Sequence, residues 1–187
     1  TAVGARALDA NTSGTYNAAV GQSTLTSNTT ASNCTALGLG ALAANTTGDQ
    51  NTAVGANSLD ANSTGVGNTA IGYDSLTNNS TADYNTGLGF YALRENTTGN
   101  SNVAAGFRAL RYNTTGARNT AVGYNACLVQ TSGDRNTGIG FQALSQNSTG
   151  GYNTAVGTET MKGGTSPSGY YSTAIGMQAL ENYTSGH

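Results

Sequence analysis

The sequence predicts a mainly β fold: a parallel β-solenoid of eleven 17-residue coils, each with one short strand plus a helical turn or a second short strand. Three observations predict it. Gly4, Gly21, Gly38, Gly55, Gly72, Gly89, Gly106, Gly123, Gly140 and Gly157 stand seventeen residues apart, and Gly176 follows two residues late. With this Gly counted as position 5, position 4 is apolar from Val3 to Ile175, and position 9 is Leu except at Cys127 and Met161. A unit of seventeen residues cannot bury a core alone, so units in phase must stack and share one. Composition would otherwise suggest disorder, with 27 Gly and 9% charged residues against about 25% in globular domains. A disordered chain lacks such a beat of apolar residues.

The coil reads N-T-A-V-G-Y-x-A-L-x-x-N-T-T-G-x-x. Positions 1 to 4 alternate as a strand does. If the aliphatic position 4 faces the core, parity turns position 2, mostly Thr, inward as well. Position 3 then points outward, yet it is only ever Ala or Gly. Something must pack closely there, either a neighbouring chain or a tightly folded part of the same coil. Positions 6 and 9 are apolar and charges fall at 7 and 10, a spacing of three that fits one amphipathic helical turn better than a second strand. NTTG closes the coil, with residues that tolerate positive φ and bond to nearby backbone. Eleven coils at strand spacing make a rod about 50 Å long. Residues 1–187 form a single repeat solenoid with a two-residue insertion near 163–169. It is expected to belong to a longer array, because neither end carries the polar capping coil of a solenoid.

Units such as NTAVGANSLDANSTG and NTAIGYDSLTNNSTA resemble the NTAVGYxALxxNTTG repeats of bacterial surface proteins and phage tail-fibre shafts. More distantly, NTAVG is similar to the SVAIG strand in the heads of trimeric autotransporter adhesins. The resemblance covers essentially the whole chain and implies an elongated, often trimeric stalk or adhesive head. The coil here is longer than in those heads and carries the recurring NTTG, and no ligand residue transfers.

Several function classes lose support. A net charge of −2 argues against nucleic acid, which needs clustered Lys and Arg. No apolar run approaches the ~20 residues of a membrane helix. Catalysis lacks its usual groups: the one histidine is His187, and acidic residues scatter over positions 7, 10, 11 and 16. No catalytic residue, metal ligand set or cofactor motif is expected. Cys34 and Cys127 lie about five coils, or ~24 Å, apart, beyond the ~7 Å Cα limit of a disulfide. Cys127 takes a core Leu place as a small buried group; Cys34 is free or pairs with another chain.

Candidate sites are Asn-x-Ser/Thr sequons at Asn11, Asn28, Asn33, Asn45, Asn62, Asn79, Asn96, Asn113, Asn147 and Asn182. An exposed solenoid turn suits N-glycosylation, whereas stacked Asn amides can instead bond to one another as a ladder. The Thr rank at position 2 would suit an ice surface only if it faced outward, which parity opposes. Tyr16, Tyr84 and Tyr152 at position 17, with Tyr171, can cover a neighbouring coil or stack on sugars. The sequence thus leads to an extracellular structural protein at a cell or virion surface, not an enzyme. It is expected to form a fibre, stalk or filament by coil stacking, with glycans on its turns. Its partners would be further copies of itself, end to end or as a lateral homo-oligomer such as a trimer. An adhesin or phage-fibre module that recognises a host surface or glycan is the alternative.

Overall fold

The computed structural model describes residues 1–163 and 169–182; most of the insertion lies outside the described residues. Eleven strands, β1 (Ala2–Val3), β2 (Ala18–Val20), β3 (Thr35–Leu37), β4 (Thr52–Val54), β5 (Thr69–Ile71), β6 (Thr86–Leu88), β7 (Val103–Ala105), β8 (Thr120–Val122), β9 (Thr137–Ile139), β10 (Thr154–Val156) and β11 (Thr173–Ile175), form one parallel sheet in sequence order. Register advances by one coil per strand, as in Thr52↔Thr69, Ala53↔Ala70 and Val54↔Ile71. The β10–β11 pair absorbs the insertion without losing rank, since Thr154, Ala155 and Val156 still face Thr173, Ala174 and Ile175.

The parity expected of the strand is reversed. Its middle residue is the buried one: Ala19, Ala53, Ala70, Ala104 and Ala121 have no exposure, whereas Val20 is 38% and Leu37 47% exposed. Thr at position 2 and the aliphatics at position 4 share the outer face. The cause is the narrowness of the coil. Leu25, Leu42, Leu59, Leu76, Leu93, Leu110 and Leu144 fill the interior from position 9, with Ala41, Ala92, Ala109, Ala126 and Ala143 beside them at position 8. Little room remains opposite. A Cβ built on Gly138 would lie 2.6 Å from Cys127 Sγ, and one on Gly87 2.5 Å from Ser75 Oγ. The small residue at position 3 is therefore the core side of the strand, packed on its own coil stack.

Positions 5 to 12 form no helix. Successive tight turns replace it: the Ala41 N–H donates to the Gly38 carbonyl at 3.4 Å and the Asn45 N–H to the Leu42 carbonyl at 3.2 Å. Non-glycine residues at positions 7, 9 and 17 take positive φ, for example Asn57 at 54°, Leu59 at 51° and Gln50 at 60°. Alternating the sign of φ keeps the ribbon flat and points its peptides along the solenoid axis. The Leu42 N–H then donates forward to the Ser58 carbonyl at 3.0 Å, and the Asn57 N–H backward to the Leu39 carbonyl at 2.9 Å. Each left-handed L residue costs about 1–2 kcal/mol. One isolated coil would carry that cost without these inter-coil bonds, so stacking and coil shape form together. The three-residue spacing resembled a helical turn because turns of this length also bring i and i+3 together.

Candidate functional site

Two side-chain ladders run through the interior. At position 12, the Asn28 amide donates to Asn11 Oδ1 at 2.7 Å, Asn62 to Asn45 Oδ1 at 2.8 Å, and Asn96 to Asn79 Oδ1 at 2.9 Å. The same nitrogens also donate to the position-15 carbonyl of their own coil, as Asn96 does to Gly99 at 2.9 Å. At position 1, the Asn68, Asn85 and Asn102 N–H groups each donate to the preceding Asn Oδ1 at 2.9 Å. Thr at position 13 adds a third, outer ladder: its hydroxyl donates to the next coil's carbonyl, Thr46 to Ser63 at 2.9 Å and Thr97 to Thr114 at 3.0 Å. These bonds account for the Asn and the first Thr of NTTG.

The ladders divide these sequons. Asn28, Asn45, Asn62, Asn79, Asn96, Asn113 and Asn147 are fully buried. Their amide nitrogens, the atoms a glycan would use, already donate inside the coil. Asn11, Asn33 and Asn182 are exposed. For the seven, the turn holds a ladder rung where the sequence allowed an exposed acceptor.

Gln130 and Cys34 depart from Asn in mid-ladder, and Ser172 does so in the last coil. Gln130 reaches the Gly133 carbonyl at 2.8 Å, but its longer side chain misses the rungs above and below. Asn113 Oδ1 and Gln130 Oε1 are left buried without partners. Gln130→Asn is therefore expected to stabilise the fold by about 1–3 kcal/mol, the range for buried groups regaining partners. Urea unfolding with an unchanged m-value would read the gain. Cys34 takes an Asn place at position 1, with its Sγ 3.3 Å from the Gly48 carbonyl. Cys34 and Cys127 are both free and buried. Burial pushes the Cys34 thiol up, and the Cys127 thiol to about 12. Neither is open to another chain, which removes the interchain pairing considered for Cys34. Both are expected to be silent to a thiol reagent in the native protein at pH 8, and to react fully in denaturant.

Several charged side chains serve structural contacts. Asp49, Asp83 and Asp134 at position 16 accept N–H groups of the preceding coil, from Ser32, Val66 and Ala117 at 2.7–2.8 Å. Arg94 pairs with Asp74 and Glu95, and its guanidinium lies 5.1 Å from the Tyr91 ring centre. Among the described residues no group of three His, Cys, Asp or Glu side chains gathers to hold a metal. Near the first coils, Ala43, Ala44 and Ala61 leave an open hollow of about 350 Å³ between Arg6 and Asp60. Burial pushes the Asp60 carboxyl up, aided by the Asp74 charge.

What remains is the outer face. Positions 2, 4 and 6 carry no charged residue in any coil. Val20, Leu37, Ile71, Leu88, Val122 and Ile139 form its middle rank, all substantially exposed. Position 6 adds an aromatic ladder, Tyr73–Phe90–Phe107–Tyr124–Phe141. Its ring centres are 5.3, 5.5, 5.0 and 5.4 Å apart, and the planes lie within 17° of parallel. The faces of these rings cover one another, so they offer edges outward and are poor sugar platforms. The position-17 tyrosines differ. Tyr16 is 86% exposed, while Tyr152 stacks on Tyr171 at 4.9 Å. Sequence reasoning missed the outer face because it assigned the aliphatic rank to the core. The missed signal was the permanent smallness of position 3. No family model, curated protein or solved structure matches the chain.

Proposed function

We propose that this chain is a non-catalytic structural element, a segment of an extracellular fibre, stalk or filament at a cell or virion surface. The observation that carries the reading is the direction of its bonding. The strand pairing, the turn peptides and all three side-chain ladders run coil to coil along one axis. Such a unit extends by repetition, and its stiffness grows from the same bonds that fold it. The repeat type supports the reading, since its resemblance is to shafts and surface proteins.

Electron microscopy of the purified chain tests this. Stiff rods about 50 Å long per copy, joining end to end into longer ones, are expected from the strand spacing. Compact, non-elongated particles would sink the fibre reading. Surface placement is tested separately, by antibody labelling of intact source cells or particles. If the chain is glycosylated, peptide mapping is expected to find sugars at Asn11, Asn33 or Asn182. Sugars on the seven ladder asparagines would contradict the ladder, and an intact mass of 18.7 kDa would exclude decoration altogether.

The exposed Tyr16, Tyr84 and Tyr171 favour one second reading, a binding module for a host surface or glycan. Retention on a glycan array that is lost in Tyr84→Ala would support it over a purely structural role.

A further inference from the structure

We propose that the uncharged outer face, formed by positions 2, 4 and 6, is buried against the same face of a second copy of this chain. This deepens the fibre reading by naming the lateral partner. The inference starts from area. The apolar residues of positions 4 and 6, from Val3 and Leu39 to Ile175 and Met177, are largely between 38% and 74% exposed. With side chains of this size, that leaves on the order of 1,000 Å² of apolar surface in one stripe. The largest such patch on a typical soluble monomer is about 300–600 Å². A stable interface buries about 800 Å² on each partner. The stripe exceeds the first and meets the second.

Three features point to a copy of the same chain as the occupant. The first is spacing. The stripe repeats once per coil for the whole rod, and a second copy carries the same spacing by construction, so ranks can mesh from end to end. An unrelated surface would match only locally. The second is relief. The middle rank mixes Val, Leu, Ile and Ala105, and it is flanked by stacked rings. That makes an uneven surface of knobs and gaps, suited to interdigitation with a matching set. A flat lattice such as ice calls for one residue type along a rank. The third is charge: the three ranks can be desolvated without stranding an ion, because they hold none. Among the described residues the hydroxyls of Thr52, Thr69 and Thr86 have no partner, and they lie along one margin of the stripe. There they can bond across to the partner or to water. The outward turn of Thr also means that the ice reading must be tested and cannot be dismissed by parity.

Sedimentation equilibrium of the full chain from 1 to 100 μM reads the mass directly. The expected result is a dimer or larger species, and mass per unit length in unstained electron micrographs at least twice that of a single-file rod. Ile71→Lys with Val122→Lys places two charges on the stripe three coils apart. With the far-UV spectrum unchanged, the double variant is expected to fall to the mass per unit length of a single-file rod, its lateral dissociation constant raised on the order of 100-fold or more. A wild-type chain that stays at monomer mass at 100 μM overturns the proposal, whether or not the variant folds. A folded double variant that keeps the wild-type mass per unit length overturns it too. Thermal hysteresis by a monomeric wild-type chain would overturn it and give the face to ice. Rod length reports axial stacking and mass per length reports lateral pairing, so failure of either reading is seen separately.

Discussion

Gly89→Ala is expected to be among the most damaging single substitutions in this protein, lowering unfolding free energy by roughly 3–5 kcal/mol. Two independent effects converge there. Gly89 has φ 136°, far from the left-handed well near +57° that an L residue can occupy. A Cβ at Gly89 would also lie 2.6 Å from the Gly106 carbonyl oxygen and 2.8 Å from its carbon. Those are backbone atoms of the next coil, so no rotamer can relieve the contact. Moving them breaks the Gly106 N–H bond to the Leu88 carbonyl at 2.8 Å and spreads the misfit along the stack. Urea unfolding followed by far-UV circular dichroism reads the loss. Gln50→Gly is the control. Gln50 is exposed at φ 60°, where glycine relieves strain but adds chain entropy, so its effect should stay within about 1 kcal/mol. Equal losses at the two sites would show that the clash at position 5 is not what matters.

Asn96→Ala is expected to cost about 3–5 kcal/mol by a different route, the stranding of buried polar groups at about 1–3 kcal/mol each. The Asn96 amide donates to Asn79 Oδ1 and to the Gly99 carbonyl, both at 2.9 Å, and its Oδ1 accepts from Asn113 at 2.8 Å. Removing it leaves Gly99 without this donor and cuts the ladder in mid-chain. Asn96→Asp tests the same rung by charge. The carboxylate keeps the acceptor for Asn113 but turns oxygen toward Asn79 Oδ1 and the Gly99 carbonyl. It should be more damaging at pH 7 than at pH 4, where protonation restores one donor. In linkage terms, the buried Asp binds its proton more tightly folded than unfolded, so stability falls as pH rises through the unfolded pKa and is fully reduced above the folded one. A flat pH profile would mean that the rung is solvated.

Both positions were visible as regular features of the repeat, yet the reasons for them were not equally visible. The seventeen-residue beat of Gly, the Leu at position 9 and the inability of one coil to bury a core are one-dimensional facts, and the parallel stacking follows from them. The Asn ladder was legible as one of two alternatives, because stacked coils must bring like residues together. Strand parity was misread at a single step. Val20 and Leu37 are larger and more apolar than Ala19 and Ala36, and hydrophobicity alone assigns the larger pair to the core. Hydrophobicity does not measure the space inside the coil.

The amino-acid pattern by itself therefore determined the period, the stacking axis, the parallel sheet and the rows that would meet. Those features need only periodicity and the requirement that apolar residues find partners. The tertiary structure decided which side of each row is inside. A coil of seventeen residues, already filled by Leu from position 9 and Asn from positions 1 and 12, admits nothing larger than Ala or Gly at position 3. Val, Ile and Thr are thereby turned out onto an uncharged face. The same closure drew seven sequon amides inside, because backbone carbonyls within the turn needed donors that water could not reach.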